Sequence, residues 1–221
     1  MLAQGYGAGE TTGGLVTLSV EDHRFAIEQG QAHLLSSCGR PFGESQVLVV
    51  DDEGRALPPG DTGEIVVRGP DVFAGYWREP ELTAAALRDG RLHTGDLARM
   101  DDRGYIYIVD RKKEMIISGG FNVYPTEVEQ ALYQHPAIYE ACVIGVPDET
   151  WGEAIKAVVV LRGGCHASAD DLIRHCQGLL ADFKKPRSVE FVAELPKNGN
   201  GKLARKDVRE RYWHGQHRRV A

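Results

Sequence analysis

Apolar and polar positions along this chain follow no clear period for the first forty residues, where Gly, Ser and Thr are frequent. From Gln46 a pattern sets in. Gln46-Val47-Leu48-Val49-Val50-Asp51 reads as a strand and Asp52-Glu53-Gly54-Arg55 as a turn; Pro58-Pro59-Gly60-Asp61 then breaks the chain before a second strand, Glu64-Ile65-Val66-Val67-Arg68. Short strands between turn signals predict a small β-barrel or antiparallel sheet. Glu79-Pro80-Glu81-Leu82-Thr83 opens a short helix, with Pro in its first turn and carboxylates at its positive end. Tyr105-Ile106-Tyr107-Ile108-Val109 is a further strand.

Beyond Arg111 the pattern gives strand, helix, strand, strand, helix, strand, helix. Thr126 and Glu129 stand at capping-box spacing before a helix carrying Val128, Ala131 and Leu132. Residues 138–146 and 155–161 are continuous apolar strands. Ser168 caps a helix on which Leu172, Ile173, Cys176, Leu179 and Leu180 form one apolar stripe. The fold class predicted is α+β. A small β-barrel or antiparallel subdomain over residues 1–111 precedes a compact α+β domain over 112–221, with a mixed or antiparallel sheet and a boundary at residues 111–113.

A chain of 221 residues can hold one large domain or two small ones, each with its own core. Its net charge of −6 argues against nucleic acid as a partner, because phosphate binding needs a basic field. The basic stretch from Lys202 to Arg219 reads as the solvated face of a terminal helix. Cys38, Cys142, Cys165 and Cys176 form no C-x-x-C pair and no zinc-like spacing, which fits a reduced, cytoplasmic setting. No apolar run is long enough for a transmembrane segment.

Gly201-Lys202 does not extend to a phosphate-binding loop, because position 196 is Pro where that motif needs Gly. Gly5-Tyr6-Gly7-Ala8-Gly9 lacks the third glycine of a dinucleotide-binding turn. The richest segment is residues 110–129, which joins cations, an apolar strand, a Gly-Gly turn and a helix start, a combination suited to holding an anion while turning the chain. Lys202 follows Asn198-Gly199-Asn200-Gly201, a glycine-rich stretch able to move a long cationic side chain. On local sequence alone each has a plainer reading: Lys202 as a surface lysine after a turn, Gly95-Asp96 as a turn, Arg111 as a surface cation, and Gly119-Gly120 as a hairpin.

Asp110-Arg111-Lys112-Lys113-Glu114-Met115-Ile116-Ile117-Ser118-Gly119-Gly120 resembles the hinge motif of the adenylate-forming (AMP-binding) enzymes, in the acyl-CoA synthetase branch. Pro196-Lys197-Asn198-Gly199-Asn200-Gly201-Lys202-Leu203-Ala204-Arg205 is similar to that family's C-terminal lysine loop. His93-Thr94-Gly95-Asp96 resembles its aromatic-Thr-Gly-Asp motif, and Gln4-Gly5-Tyr6-Gly7-Ala8-Gly9-Glu10-Thr11 its Tyr-Gly-Met-Thr-Glu motif. Gly63-Glu64-Ile65 and the 75–83 segment match as well, as structural positions.

The resemblance implies an ATP-dependent ligase. A small-molecule carboxylate would attack the α-phosphate of ATP to give acyl-AMP and pyrophosphate, and the thiol of coenzyme A would then take the acyl group. It assigns Lys202 to the acyl carboxylate and α-phosphate as the catalytic cation. Tyr6 falls to the adenine, Asp96 to both ribose hydroxyls, Arg111 to the ribose, and Glu10 to Mg²⁺. Lys113 would be the hinge about which the second domain turns, and Ser118, Gly119 and Gly120 would line the pantetheine channel of coenzyme A. Phe183-Lys184-Lys185-Pro186 would reach a coenzyme A phosphate. Gly9 stands where the family has Thr, and His93 where it has an aromatic.

The family's phosphate-gripping loop and most of its acyl pocket lie N-terminal to the matching region, so the chain corresponds to the C-terminal portion and is expected to be inactive alone. Two other readings stay open: an adenylation domain of peptide-synthetase type, and a non-catalytic module that docks on coenzyme A or a partner protein. The acyl substrate is not legible.

Overall fold

The computed structural model describes residues 2–213. Residues 214–219 of the basic stretch expected as a terminal helix lie outside the described residues. The chain divides into two compact units, one ending at Lys112 and the other beginning at Lys113.

In the first unit, β1 (Gln4–Ala8) and β2 (Gly13–Leu18) form an antiparallel hairpin, joined by β3 (Arg40–Pro41) on the far side of β2. Register slips between Tyr6 and Gly7, and a Cβ on Gly7 would stand 1.8 Å from the Gly13 carbonyl oxygen, so only glycine fits that approach. Helix α1 (Val20–Glu28) follows β2. The Ser19 hydroxyl accepts the Asp22 N–H at 3.0 Å, and the Asp22 carboxylate accepts the Ser19 N–H at 3.0 Å. This is a capping box with Asp in the usual Glu position. Both hairpin and helix fall in the stretch where the sequence showed no period.

The second sheet of this unit comprises β4 (Gln46–Val50), β5 (Thr62–Arg68), β6 (Leu87–Arg88), β7 (Arg91–Met100) and β8 (Ile106–Arg111). Its order is β4-β5-β7-β6, with β8 also on β7, all antiparallel. Helix α2 (Pro80–Ala86) precedes β6, with Pro in its first turn as expected. The expected barrel is not formed among the described residues. The free side of β4 is taken by residues 56–57 through a Val50–Ala56 bridge and a Leu57 N–H to Val49 carbonyl bond, so the sheet does not close. Leu15, Val16, Val47, Val49, Ile65, Val67, Leu92, Ala98 and Ile106 form the core beneath it.

The second unit opens with β9 (Ile116–Ser118) and β10 (Phe121–Val123), a hairpin where one strand was expected. Helix α3 (Pro125–Tyr133), strands β11 (Ile138–Asp148) and β12 (Gly152–Leu161), helix α4 (Ala169–Leu179), strand β13 (Ser188–Phe191) and helix α5 (Arg205–Glu210) follow. The sheet runs β10-β9-β12-β11, with β13 parallel on β12. Successive β11 residues face opposite cores: Ala141 and Val143 pack with α3 and α4, while Cys142 and Ile144 pack with Leu195 and Val208. Burial on both faces explains the unbroken apolar runs. Ser168 caps α4 as expected.

The α3 cap differs. The helix begins at Pro125, so Thr126 is its second residue, and Glu129 accepts the Val143 N–H at 2.8 Å instead of closing a capping box. No helix among the described residues is long and apolar enough to cross a membrane.

Candidate functional site

Three expected nucleotide residues meet in the first unit. Asp96 and Arg111 are cross-strand partners on β7 and β8, and the Arg111 Nε lies 3.3 Å from Asp96 Oδ1. From β1, the Tyr6 hydroxyl donates to Asp96 Oδ2 at 2.7 Å. The Asp96 side chain is 15 % exposed and that of Arg111 64 %, so a set carboxylate sits beneath a solvent-facing guanidinium. Burial, followed by the bond to Asp96, pushes the Tyr6 phenol well above its ordinary value, keeping it a donor.

The backbone around Asp96 is held from below by Glu64, one of the positions read as structural. This buried carboxylate accepts the Gly95 N–H at 3.1 Å, lies 3.2 Å from the His93 ring, and lies 3.3 Å from the Lys112 Nζ. The Thr94 hydroxyl donates to the Ile65 carbonyl and accepts the Asp96 N–H. Gly95 adopts φ +73°, the left-handed turn that aims Asp96. Burial alone would raise the Glu64 carboxyl, but the His93 contact, the Lys112 ammonium and the Gly95 N–H together hold it below the usual range. His93 in place of an aromatic thus supplies a polar tie to this anchor.

Glu10 sits in a single 3₁₀ turn, Gly9–Thr11. Tyr76 donates its hydroxyl to Glu10 Oε1 at 2.7 Å, and this bond is the main cause of a carboxyl pKa below the ordinary value. Among the described residues no cluster of three or more His, Cys, Asp or Glu could hold a metal. A single ionised carboxylate fits Mg²⁺, which keeps several waters and is commonly shared with phosphate oxygens. A Cβ on Gly9 would meet nothing within 4 Å, so the fold does not itself require glycine there.

The second unit carries the remaining expected residues. Lys202 is exposed, at the end of a turn that is more tightly closed than its glycines suggested. The Asn198 side chain accepts the Asn200 and Lys202 N–H groups at 3.0 Å each, the Asn198 N–H donates to the Lys202 carbonyl at 2.8 Å, and Lys197 and Leu203 bridge below. The glycine-rich stretch read as able to move a long cationic side chain thus forms a hydrogen-bonded turn at whose end the exposed Lys202 stands.

Gly119 and Gly120, with φ +60° and +84°, form the two-residue turn between β9 and β10. A Cβ on Gly119 would stand 2.4 Å from the Trp151 ring, whereas one on Gly120 would meet nothing. Ser118 is buried. Phe183 stacks on Phe121 at 4.7 Å, and the Arg187 guanidinium lies 4.2 Å from the Trp151 ring centre. Lys184 is bonded to both Glu127 oxygens at 2.8 Å and Lys185 to Asp182, so neither ammonium of the Phe-Lys-Lys-Pro segment stands unengaged. Lys113 is exposed in the 3₁₀ turn Lys112–Glu114. On one side of it Lys112 bonds Asp52 and Glu64 of the first unit; on the other Glu114 accepts from Arg209 of the second.

The AMP-binding enzyme family matches residues 1–77, and the AMP-binding enzyme C-terminal domain matches residues 127–202. A feruloyl-CoA synthase from Amycolatopsis is 46 % identical over 95 % of this chain, and a long-chain-fatty-acid–CoA ligase from Bacillus subtilis 47 % over 82 %. The chain spans 41 % and 32 % of these two relatives. Among solved structures, ATP-bound MatB from Rhodopseudomonas palustris aligns over 96 % of this chain with TM-score 0.85, and the o-succinylbenzoate CoA synthetase of Bacillus subtilis with its acyl-adenylate over 93 % with TM-score 0.82, both at 38 % identity and covering 40 % of the neighbour's chain. With each unit carrying its own family match, in the order the motifs require, the chain belongs to the adenylate-forming, AMP-binding enzyme family.

Proposed function

We propose that this chain is the C-terminal part of an AMP-forming acyl-CoA synthetase, acting on a carboxylic acid, ATP and coenzyme A in the cytoplasm. The observation that carries the reading is the Tyr6–Asp96–Arg111 constellation. A carboxylate can give one oxygen to each hydroxyl of a vicinal diol, and each oxygen holds more than one acceptor site. Asp96 can therefore keep the Tyr6 bond that fixes its rotamer while receiving the ribose. The Arg111 side chain, 64 % exposed with its Nε 3.3 Å from Asp96 Oδ1, can swing over the sugar.

In the first half-reaction a substrate carboxylate oxygen bonds the α-phosphorus and the bond to pyrophosphate breaks. Lys202 places a fixed positive charge against the carboxylate and α-phosphate, where negative charge gathers. Mg²⁺, held here by Glu10, would neutralise charge on the phosphates. In the second half-reaction the coenzyme A sulfur bonds the acyl carbon and AMP leaves. Lys113 serves as the hinge between the two arrangements. The Ser118-Gly119-Gly120 turn borders the pantetheine arm, where two consecutive positions without side chains let a thiol pass close to the backbone. Ring faces at Phe121, Phe183 and Trp151 supply apolar contact for coenzyme A.

The test is carboxylate-dependent exchange of pyrophosphate into ATP by the longer polypeptide containing this chain. Asp96→Asn should raise the KM for ATP about 10- to 100-fold, as expected for one or two lost charge-assisted bonds. An unchanged KM would remove the ribose assignment. Gly9, which the fold does not demand, favours a second reading as a non-catalytic module. That reading, a module that docks on coenzyme A or a partner protein, requires that no carboxylate supports exchange.

A further inference from the structure

Helix α5 has six residues, too few to stand alone, and is held by what one face touches. Arg205, Val208 and Arg209 share that face. Val208 is fully buried. Arg205 donates to both Glu129 oxygens at 2.7 Å, and Arg209 donates to Glu114 at 2.6 Å. In both pairs the arginine side chain is 17 % and the glutamate 11 % exposed, unlike the chain's many surface pairs.

The partners lie in telling places. Glu114 directly follows Lys113, and Arg205 comes three residues after Lys202. Between Arg205 and Lys202 the chain has no slack: the Ala204 N–H donates to the Pro196 carbonyl, Leu203 bridges Lys197, and Asn198 closes the turn at the Lys202 N–H. A continuous path of hydrogen bonds and one short helix thus runs from the residue beside Lys113 to the lysine turn.

We propose that Glu114 and Arg209 are positioning residues for Lys202, fastening the start of the second unit to the helix that carries the lysine turn so that the amine keeps one direction relative to that start. The inference rests on the reading of Lys202 as the adenylation cation. Glu129 and Arg205 are the second fastening of the same helix. Because thioester formation does not use Lys202, the two half-reactions respond unequally when the fastening is cut.

The experiment uses the full-length enzyme, with Glu114→Gln and Arg209→Gln compared for pyrophosphate exchange, for thioester formation from supplied acyl-adenylate, and for amide hydrogen exchange. Each variant should lose about tenfold in pyrophosphate exchange, as a displaced reacting group does, while thioester formation stays within about twofold. Amide protection at residues 198–202 should fall while that of α4 is kept. The swapped pair, Glu114→Arg with Arg209→Glu, should recover part of the exchange rate. Arg209→Lys, which keeps the charge but not the fork, serves if a single variant does not fold, and should show the same unequal loss.

Equal losses in both half-reactions, or full exchange activity with unaltered protection of the turn, would overturn the proposal. Lys202→Ala run alongside separates the causes. If it abolishes exchange and Glu114→Gln does not, the positioning claim alone fails; if it leaves exchange intact, the underlying assignment fails and the proposal with it.

Discussion

In the first unit the candidate site residues hold one another: Tyr6 and Arg111 are aimed at the two oxygens of Asp96, and Glu64 pins the turn that presents it. In the second unit Lys202 is exposed, and what is held is the backbone beneath it, by Asn198 and by the bridge at Lys197. The contrast suits the two tasks that the proposed function gives these units. A nucleotide is gripped best by groups already set in place, whereas a cation that serves only one of two half-reactions needs a firm base and an unencumbered tip.

The most severe test of this contrast is Lys202→Ala in the full-length enzyme. Pyrophosphate exchange should fall roughly 10²- to 10³-fold, the usual cost of removing one fixed charge from a developing anion, with thioester formation from supplied acyl-adenylate retained. Loss of both activities together would mean that the turn is a structural element and the contrast false.

Next in size is a pair of glycine substitutions in the β9–β10 turn. Both positions have positive φ, which costs a side chain about 1–2 kcal/mol, but only at Gly119 does the new Cβ strike the Trp151 ring. Gly119→Ala should therefore cost about 2–4 kcal/mol in denaturant unfolding of the second unit and Gly120→Ala only about 1–2 kcal/mol. Equal costs would show that Trp151 moves aside.

The smallest effect is electrostatic and belongs to the first unit. Because the Glu64 carboxyl is held below its ordinary value, its contribution to stability is present above the unfolded value of about 4.3 and is lost as pH falls through the lower folded value. Glu64→Gln should flatten the acid limb of a plot of melting temperature against pH. An unchanged limb would mean that other carboxylates, such as Asp22, govern it.

Much of the second unit was legible because β11 and β12 are buried on both faces and α4 has a capped apolar stripe, features that leave direct marks in the residue order. The first unit was less so. Helix α1 is capped by Ser19 with an Asp partner and carries few apolar residues, so the pattern was diluted; the β1–β2 hairpin is built on glycines, which have no side chain to alternate. The barrel expectation failed because strand closure depends on which segment reaches the edge of β4, a long-range matter.

The same reason hid the ion pairs of α5. Arg205 and Glu129 are 76 residues apart, and Arg209 and Glu114 are 95 apart. Their only local trace is a glutamate inside the buried stretch of α3. Matching whole motifs assigned Tyr6 and Asp96 to one nucleotide, but the bond between them, across 90 residues, left no local sign.

The anchoring of Lys112 to Asp52 and Glu64, and of Glu114 to Arg209, has a mechanical consequence. Under the hinge role proposed for Lys113, flanking residues staked each within its own unit would confine the swivel to the few torsions at that one amino acid. Substituting it would then alter the arc of the proposed swing, and how often it is made, without touching any ligand.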